Sequence, residues 1–332
     1  MASTPPSESI LFRSEDDAVV LLDIPRSLEE SQVPIGQQPI YRLCTGPPPP
    51  MPFPTPEAGG VQEVPSFAFA TLIAHLMTAE VSRRALKLLA DEYSGPICLD
   101  RAPLAATSSS SSPADIDILV PAGARYIWGS VEETTQALLD EAPPFFDLIV
   151  LDPPWPNRSV RRHGDSYATP RDLSAMRRLL LQVPVPARIA PDGLVAVWLT
   201  NKAAVDSLMT SPTTGVLTAW GLELVAEWTW LKVAASGEPL YDLNCGWRKP
   251  WERLLIAMPR GGRVPSALDA KVIIAAPDVH SRKPNLRRLF RDVLARDYVG
   301  LEVFARNLTS GWWSWGDEVV KFQRTDCWLQ SG

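Results

Sequence analysis

The chain has 332 residues, 45% of them apolar, and a formal charge of -6. That length holds one large domain or two ordinary ones. The mild acidity excludes a general attraction to nucleic acid or anionic membranes, so any polyanion site has to be a local basic patch.

In chain order, MASTPPSESI lacks the basic and apolar segments of a secretory signal, so none is expected. Further along, no apolar run nears the ~20 residues of a membrane helix. Ala18-Val19-Val20-Leu21-Leu22-Asp23-Ile24-Pro25 predicts a strand. Gly46-Pro47-Pro48-Pro49-Pro50-Met51-Pro52 is a polyproline II stretch that cannot join a helix or sheet interior. It reads as a surface connector, with an SH3-type ligand as the alternative. Phe67 to Tyr93 carries Leu72, Ile73, Leu76, Leu86, Leu88 and Leu89 at helical spacing. Ser108 to Ser112 with Pro113 predicts a flexible loop. Near it falls the expected division: residues 1–115 as a smaller N-terminal α+β region with the proline-rich connector, and 116–332 as the main domain. Cys44, Cys98, Cys245 and Cys327 are too dispersed for a metal knuckle and too few for a disulfide framework, which predicts reduced intracellular thiols.

Beyond the division the pattern alternates. Glu132 to Leu139 predicts a helix, Phe146 to Leu151 a wholly apolar strand, and Arg171 to Leu181 a helix. Ala190-Pro191-Asp192-Gly193 turns into a strand over Leu194 to Leu199. Leu222 to Val233, Glu252 to Met258 and Lys271 to Ala275 read as strands. Pro284 to Tyr298 predicts a helix with Leu286, Leu289, Phe290, Val293 and Leu294 on one face and Arg287, Arg288 and Arg291 off it. Leu301 to Phe304 closes the series. Apolar strands alternating with helices predict an α/β fold with a mostly parallel sheet. Ligands of such sheets sit at the carboxyl ends of the strands.

Asp152-Pro153-Pro154-Trp155 lies at one such end. Two prolines stiffen the backbone and remove two N–H donors, leaving carbonyl acceptors. Asp152 adds a carboxylate and Trp155 a flat ring. This combination suits a planar base with an exocyclic amine, such as an adenine or cytosine taken out of its stack. The amine's lone pair is delocalised into the ring. Acceptors on its hydrogens draw it toward a tetrahedral shape and free that pair for attack, so they matter most as positive charge develops. A capped strand end with a tryptophan packed on prolines is the structural alternative.

Further blocks decide between them. DPPWPNRSV, His280-Ser281-Arg282-Lys283-Pro284, Leu301-Glu302-Val303-Phe304-Ala305-Arg306-Asn307 and Gly311-Trp312-Trp313-Ser314-Trp315-Gly316-Asp317-Glu318-Val319 stand in one order. Together they resemble the MT-A70 family of S-adenosylmethionine-dependent adenine-N6 methyltransferases over roughly residues 120 to 325. Within the family, EWTWLKV, RKPWE, FARN and SWGDEVVKF resemble the methyltransferase-like protein 4 branch, as does LLDIPRSLEESQ more weakly. The resemblance implies a Rossmann-like class I methyltransferase sheet flanked by helices. It also implies S-adenosylmethionine as cofactor, S-adenosylhomocysteine as product, and neither a metal nor a covalent enzyme intermediate.

Carried onto this chain, the resemblance assigns the target amine to Asp152, Pro153 and Pro154, and base stacking to Trp155. Lys283 takes the position that meets the cofactor's carboxylate. Arg306 and Asn307 serve the ribose and tail, and Glu318 the ribose hydroxyls. Asp317 stands where relatives often have Asn beside the cofactor adenine, and Ser130-Val131 where they have an Asp-Ile pair; both departures weaken a contact. Asn157, Arg158, Ser159, Arg161 and Arg162 imply a segment that meets phosphates beside the flipped base. Trp230, Lys232, Lys249, Trp251 and Glu252 resemble positions around the substrate pocket, with a core role open for the two tryptophans. Trp312, Trp313 and Trp315 read as packing beside the cofactor, and His280 as orienting the Lys283 loop. The resemblance implies a polynucleotide substrate: small nuclear RNA carrying 2′-O-methyladenosine, or DNA adenine. A monomer is expected, nuclear and open to a cytoplasmic pool. The rival readings are a non-catalytic RNA-binding partner subunit and a methyltransferase for cytosine or a small-molecule amine. The retained Asp152 and Trp155 weigh against the first, and the arginines after them against the second.

Overall fold

The computed structural model describes residues 8–54, 68–103, 117–156, 170–246, 248–279, 282–294 and 297–330. The elements before the connector and the serine loop are β1 (Ile10–Arg13), β2 (Val19–Leu22), α1 (Ile24–Ser31), β3 (Tyr41–Leu43) and α2 (Ala68–Glu92). They are followed by β4 (Arg125–Trp128), α3 (Val131–Glu141), β5 (Phe146–Leu151), α4 (Leu173–Gln182), α5 (Val185–Arg188) and β6 (Ile189–Leu199). Then come α6 (Ala203–Thr210), α7 (Val216–Ala219), β7 (Leu222–Lys232), β8 (Trp251–Pro259) and β9 (Lys271–Ala275). The last are α8 (Arg287–Arg291), β10 (Gly300–Val303), β11 (Trp313–Gly316) and β12 (Trp328–Gln330).

Ten of these strands form one sheet in the order β1-β2-β9-β7-β8-β6-β5-β10-β11-β4. β8 runs antiparallel between β6 and β7, and β1 antiparallel to β2. The other neighbours are parallel, from β2 beside β9 to β11 beside β4. β3 and β12 make a separate antiparallel pair. Residues on both sides of the expected division at 115/116 therefore contribute to the same sheet.

Alternation along the strands feeds two cores. Val195, Val197 and Leu199 of β6 pack with Val131 and Leu138 of α3, Met176 and Leu180 of α4, and Met209 of α6. Leu194, Ala196 and Trp198 point the other way, to Ile24 and Leu28 of α1 and Leu289 and Phe290 of α8. Helices thus cover both faces, as a Rossmann-like sheet requires. Among the described residues no helix is long and apolar enough to cross a membrane.

Three expectations change. The strand read over Ala18–Pro25 stops at Leu22, because the Asp23 carboxylate caps α1 by accepting the Arg26 N–H at 2.9 Å, with Pro25 in the first turn. The helix read over 284–298 shrinks to Arg287–Arg291: Asn285 Oδ1 takes the Arg287 N–H at 3.0 Å, and the Tyr298 hydroxyl donates to the Arg287 carbonyl at 2.9 Å. α2 forms, but Leu72, Ile73 and Leu76 of its apolar set are exposed, while Ala79, Ala85 and Leu89 are buried.

Candidate active site

β5 delivers Asp152 by running out of donors. The Asp152 N–H still bonds the Val303 carbonyl at 3.3 Å, and Pro153 and Pro154 then end the ladder. The Trp155 N–H folds back onto the Pro153 carbonyl at 2.8 Å. All four residues are buried. The Trp155 indole donates to the Trp198 carbonyl at 2.8 Å and packs in the core beside β6, so its ring is pinned, with little of its face open.

Two loops bring cations to the carboxylate. In the first, Lys283 Nζ lies 3.1 Å from Asp152 Oδ1 and 3.2 Å from Glu252 Oε2. In the second, Arg306 Nη1 lies 2.6 Å from Asp152 Oδ2, and its Nε 3.2 Å from Glu318 Oε2. Lys232 pairs with the other oxygen of Glu252, and Lys321 sits 2.8 Å from Glu318. The result is an alternating chain: Lys232, Glu252, Lys283, Asp152, Arg306, Glu318, Lys321. Burial alone would raise the Glu252 carboxyl, but Lys283 and Lys232 hold it down to about 2. Burial likewise works against the Lys283 ammonium, yet Asp152 and Glu252 hold it above the ordinary lysine value.

Each loop has its own support. Arg282 binds Asp278 at 2.5 Å with both side chains buried, and its guanidinium lies 4.3 Å from the Phe322 ring. The Asp278 carboxylate also takes the Thr45 hydroxyl, which ties the segment after β3 to the Lys283 loop. Asn285 N–H bonds Ser27 of α1 at 3.1 Å, and its side-chain amide bonds Thr309 at 2.8 Å. In the second loop Phe304 adopts φ +58°, a rare conformation for a residue with a side chain, and so turns the chain toward Arg306. The turn is crowded: a Cβ on Gly316 would lie 3.2 Å from the Ala305 nitrogen, and Gly316 has φ +157°.

Other expected residues are placed as follows. Ser130 caps α3 in a reciprocal arrangement, its hydroxyl oxygen accepting the Glu133 N–H at 3.3 Å and its O–H donating to the Glu133 carboxylate at 2.9 Å. Val131 is buried in the core of that face. Asp317 is half-buried; burial first, with the Glu318 charge acting the same way, raises its carboxyl, and its carbonyl accepts the Trp128 indole N–H at 3.0 Å. Asn307 lines the cavity that holds Asp152, Lys283 and Arg306. Trp230 and Trp251 are core residues, with Lys232 Nζ 4.5 Å from the first ring and Lys249 Nζ 5.4 Å from the second. Asn157, Arg158, Ser159, Arg161, Arg162, His163 and His280 lie outside the described residues. Arg287 and Arg288 are taken up internally: Arg287 donates to the Ser310, Glu30 and Val33 carbonyls, and Arg288 pairs with Glu30 and Glu8.

Three cavity features were not singled out from the sequence. Glu302 of β10 lines it, the Asp278–Arg282 pair braces it, and the Trp198 carbonyl fixes Trp155. A lone acid inside an otherwise apolar strand was the signal for Glu302. The free space in it is about 20 Å³, room for one water, and the ion pairs of Asp152 occupy its polar side. The donor set fits an amino-acid-bearing cofactor: two cations for a carboxylate, an amide at Asn307, and acidic groups at Glu302 and Glu318.

The proline-ended acid at a central strand's carboxyl end and the flanking cationic loops lie where ligands of a mostly parallel α/β sheet bind. The MT-A70 family model matches residues 146–318. The chain is 46% identical, over 98% of its length and 95% of the relative's, to the N6-methyladenosine RNA methyltransferase MTA1 of Cryphonectria parasitica. It is 40% identical to the protein of the same name in Pyricularia oryzae, over 97% and 96%. The human N(6)-adenine-specific methyltransferase METTL4 is 37% identical over 55% of this chain and 39% of its own. The chain belongs to the MT-A70 family.

Proposed function

We propose that this protein transfers a methyl group from S-adenosylmethionine to the N6 of adenine in nucleic acid, with RNA the favoured polymer. The observation that carries the reading is Asp152, held at the carboxyl end of β5 between Lys283 and Arg306. The full-length relatives named as RNA enzymes support the choice of polymer.

Asp152 and the Pro153 and Pro154 carbonyls accept the hydrogens of the target amine. Their pull strengthens as positive charge builds on N6, so the stabilisation falls on the transition state. Lys283, Arg306 and Asn307 hold the cofactor's carboxylate. S-adenosylmethionine, when bound, supplies an electrophilic methyl group on a sulfonium centre. A ligand carboxylate also gives Lys283 and Arg306 a second anion, leaving lone pairs of Asp152 open to the amine. Trp155 packs the edge of the base site, and Asp317 and Glu318 serve the adenosine part of the cofactor. The arginines after Trp155 meet the phosphates.

The test is transfer of a labelled methyl group to matched RNA and DNA oligonucleotides, each with and without 2′-O-methylated adenosine. N6-methyladenine in RNA is the expected product. Label in DNA alone would overturn the choice of polymer, and label in neither would sink the enzyme reading.

A further inference from the structure

The proline-rich connector, to which the reading above gives no task, packs against the loop that leaves the sheet on the same edge as Asp152. β5, β6, β7 and β9 run in one direction with β8 reversed between β6 and β7. The carboxyl end of β7, at Lys232, therefore lies on the edge where β5 delivers Asp152, three strand spacings or roughly 15 Å away. Beyond Lys232 the chain turns back on itself. The Leu240 N–H bonds the Lys232 carbonyl at 2.9 Å, and the Ala234 N–H bonds the Glu238 carbonyl at 2.8 Å. The connector lies along this turn: its Pro49 carbonyl accepts the Ala235 N–H at 2.8 Å, and its Phe53 N–H donates to the Leu240 carbonyl at 3.0 Å. Prolines supply no donors, so the first N–H after Pro52 makes the second bond and fixes Phe53.

Phe53 thus arrives beside Tyr241, with ring centroids 5.5 Å apart and planes 30° apart. The Arg248 guanidinium carbon lies 4.4 Å from the Tyr241 centroid. Phe53 is left 44% exposed, and Arg248 is exposed as well. The cations nearer Asp152 are matched by acids: Lys232 and Lys283 by Glu252, and Arg306 by Asp152. Arg248 is not; among the described residues its contact is the Tyr241 ring. The Asp242 carboxylate of the same loop accepts the Asn244 N–H at 2.7 Å. A guanidinium resting on a ring keeps its N–H edge for a phosphate. An exposed aromatic face beside it accepts a base of any identity.

We propose that Phe53, Tyr241 and Arg248 form a platform for one nucleotide flanking the target adenine in the same strand, with its base on Phe53 and its phosphate at Arg248. The inference rests on the nucleic-acid reading and extends it along the strand. The platform sets where the strand lies and not which base it carries.

Anisotropy of labelled RNA oligonucleotides, each with one adenosine among uridines, tests this with protein loaded with S-adenosylhomocysteine. Phe53→Ala should weaken binding ~10-fold, the scale of a lost base–aromatic stack, and Phe53→Trp should retain it. An abasic residue walked along the strand should reproduce that loss at one flanking position in wild-type protein. At that position it should cost Phe53→Ala less than ~2-fold more, because the stack is already gone. Arg248→Gln should flatten the slope of log affinity against log salt by roughly 0.7. Losses from the abasic residue and from Phe53→Ala that multiply at every position would overturn the platform, as would wild-type affinity in Phe53→Ala. If Phe53→Ala folds poorly, seen as lost S-adenosylhomocysteine affinity by calorimetry, the abasic walk on wild-type protein decides alone: no sensitive flanking position overturns the proposal. Methyl transfer separates the two readings. Wild-type protein that shows the coupling but methylates neither RNA nor DNA keeps the platform and breaks the enzyme reading; methylation without coupling does the reverse.

Discussion

Asp152 carries its charge between two cations, so replacing it tests acceptor and counter-ion together. Asp152→Asn is expected to lower single-turnover rates at least ~100-fold, the loss seen when a transition-state acceptor is removed. S-adenosylhomocysteine should bind as well or better by calorimetry, because Lys283 and Arg306 lose a competing anion. A variant near wild-type turnover would remove Asp152 from the chemistry. Two other acids fix how stability responds to pH. Glu302 has its carboxyl raised to about 7 in the folded protein, so its proton favours folding. That contribution is complete below the ordinary glutamate range and lost as pH rises through 7. Glu252, held down to about 2, contributes in the opposite direction: present at neutral pH, lost as pH falls toward 2. Glu302→Gln should therefore gain stability over wild type between about pH 5 and pH 8, read from urea midpoints, with little difference at the acid end. Equal midpoint differences at both ends would show that Glu302 does not titrate there.

Elements separate residues that hold the fold from those that meet ligands. Ser130, read from the sequence as a cofactor contact, spends its hydroxyl on the first turn of α3. Ser130→Ala should cost about 1 kcal/mol of unfolding free energy, as lost caps do. If S-adenosylhomocysteine affinity then stays within ~2-fold, the role is capping; a larger loss restores the contact. β5 and β9 were legible to the residue because a strand covered on both faces is apolar throughout. The strand end at Asp152 and the Lys283 and Arg306 loops were legible through their motifs. α8 was not: its apolar spacing continues past the helix, because Asn285 and Tyr298 bind its backbone from outside. β1, β4 and β11 escaped notice because they are short, with β1 and β4 the two sheet edges and β11 next to β4, where the apolar pattern lapses. The ion-pair chain was also invisible, since directly paired members come from loops and strands as far as 154 residues apart, as in Asp152 and Arg306.

At the scale of the molecule, a body of charge -6 has to grip a polyanion through few contacts. Changing Arg158, Arg161 and Arg162 together to alanine should flatten the slope of log affinity against log salt by roughly two units. It should weaken all oligonucleotides alike, since phosphates carry no sequence. An unchanged slope would move the grip elsewhere, and Arg287 and Arg288 are poor substitutes because backbone carbonyls and glutamates already hold them. The sheet's other end has a consequence of its own. β9 is buried along its whole length, and β2 lies beside it with β1 outermost. A chain begun after Leu22 would present Val272, Ile273 and Ile274 on an open row of N–H and C=O groups, a template for any second copy. The first two strands thus act as a terminator, stopping the sheet from growing sideways into a neighbouring molecule.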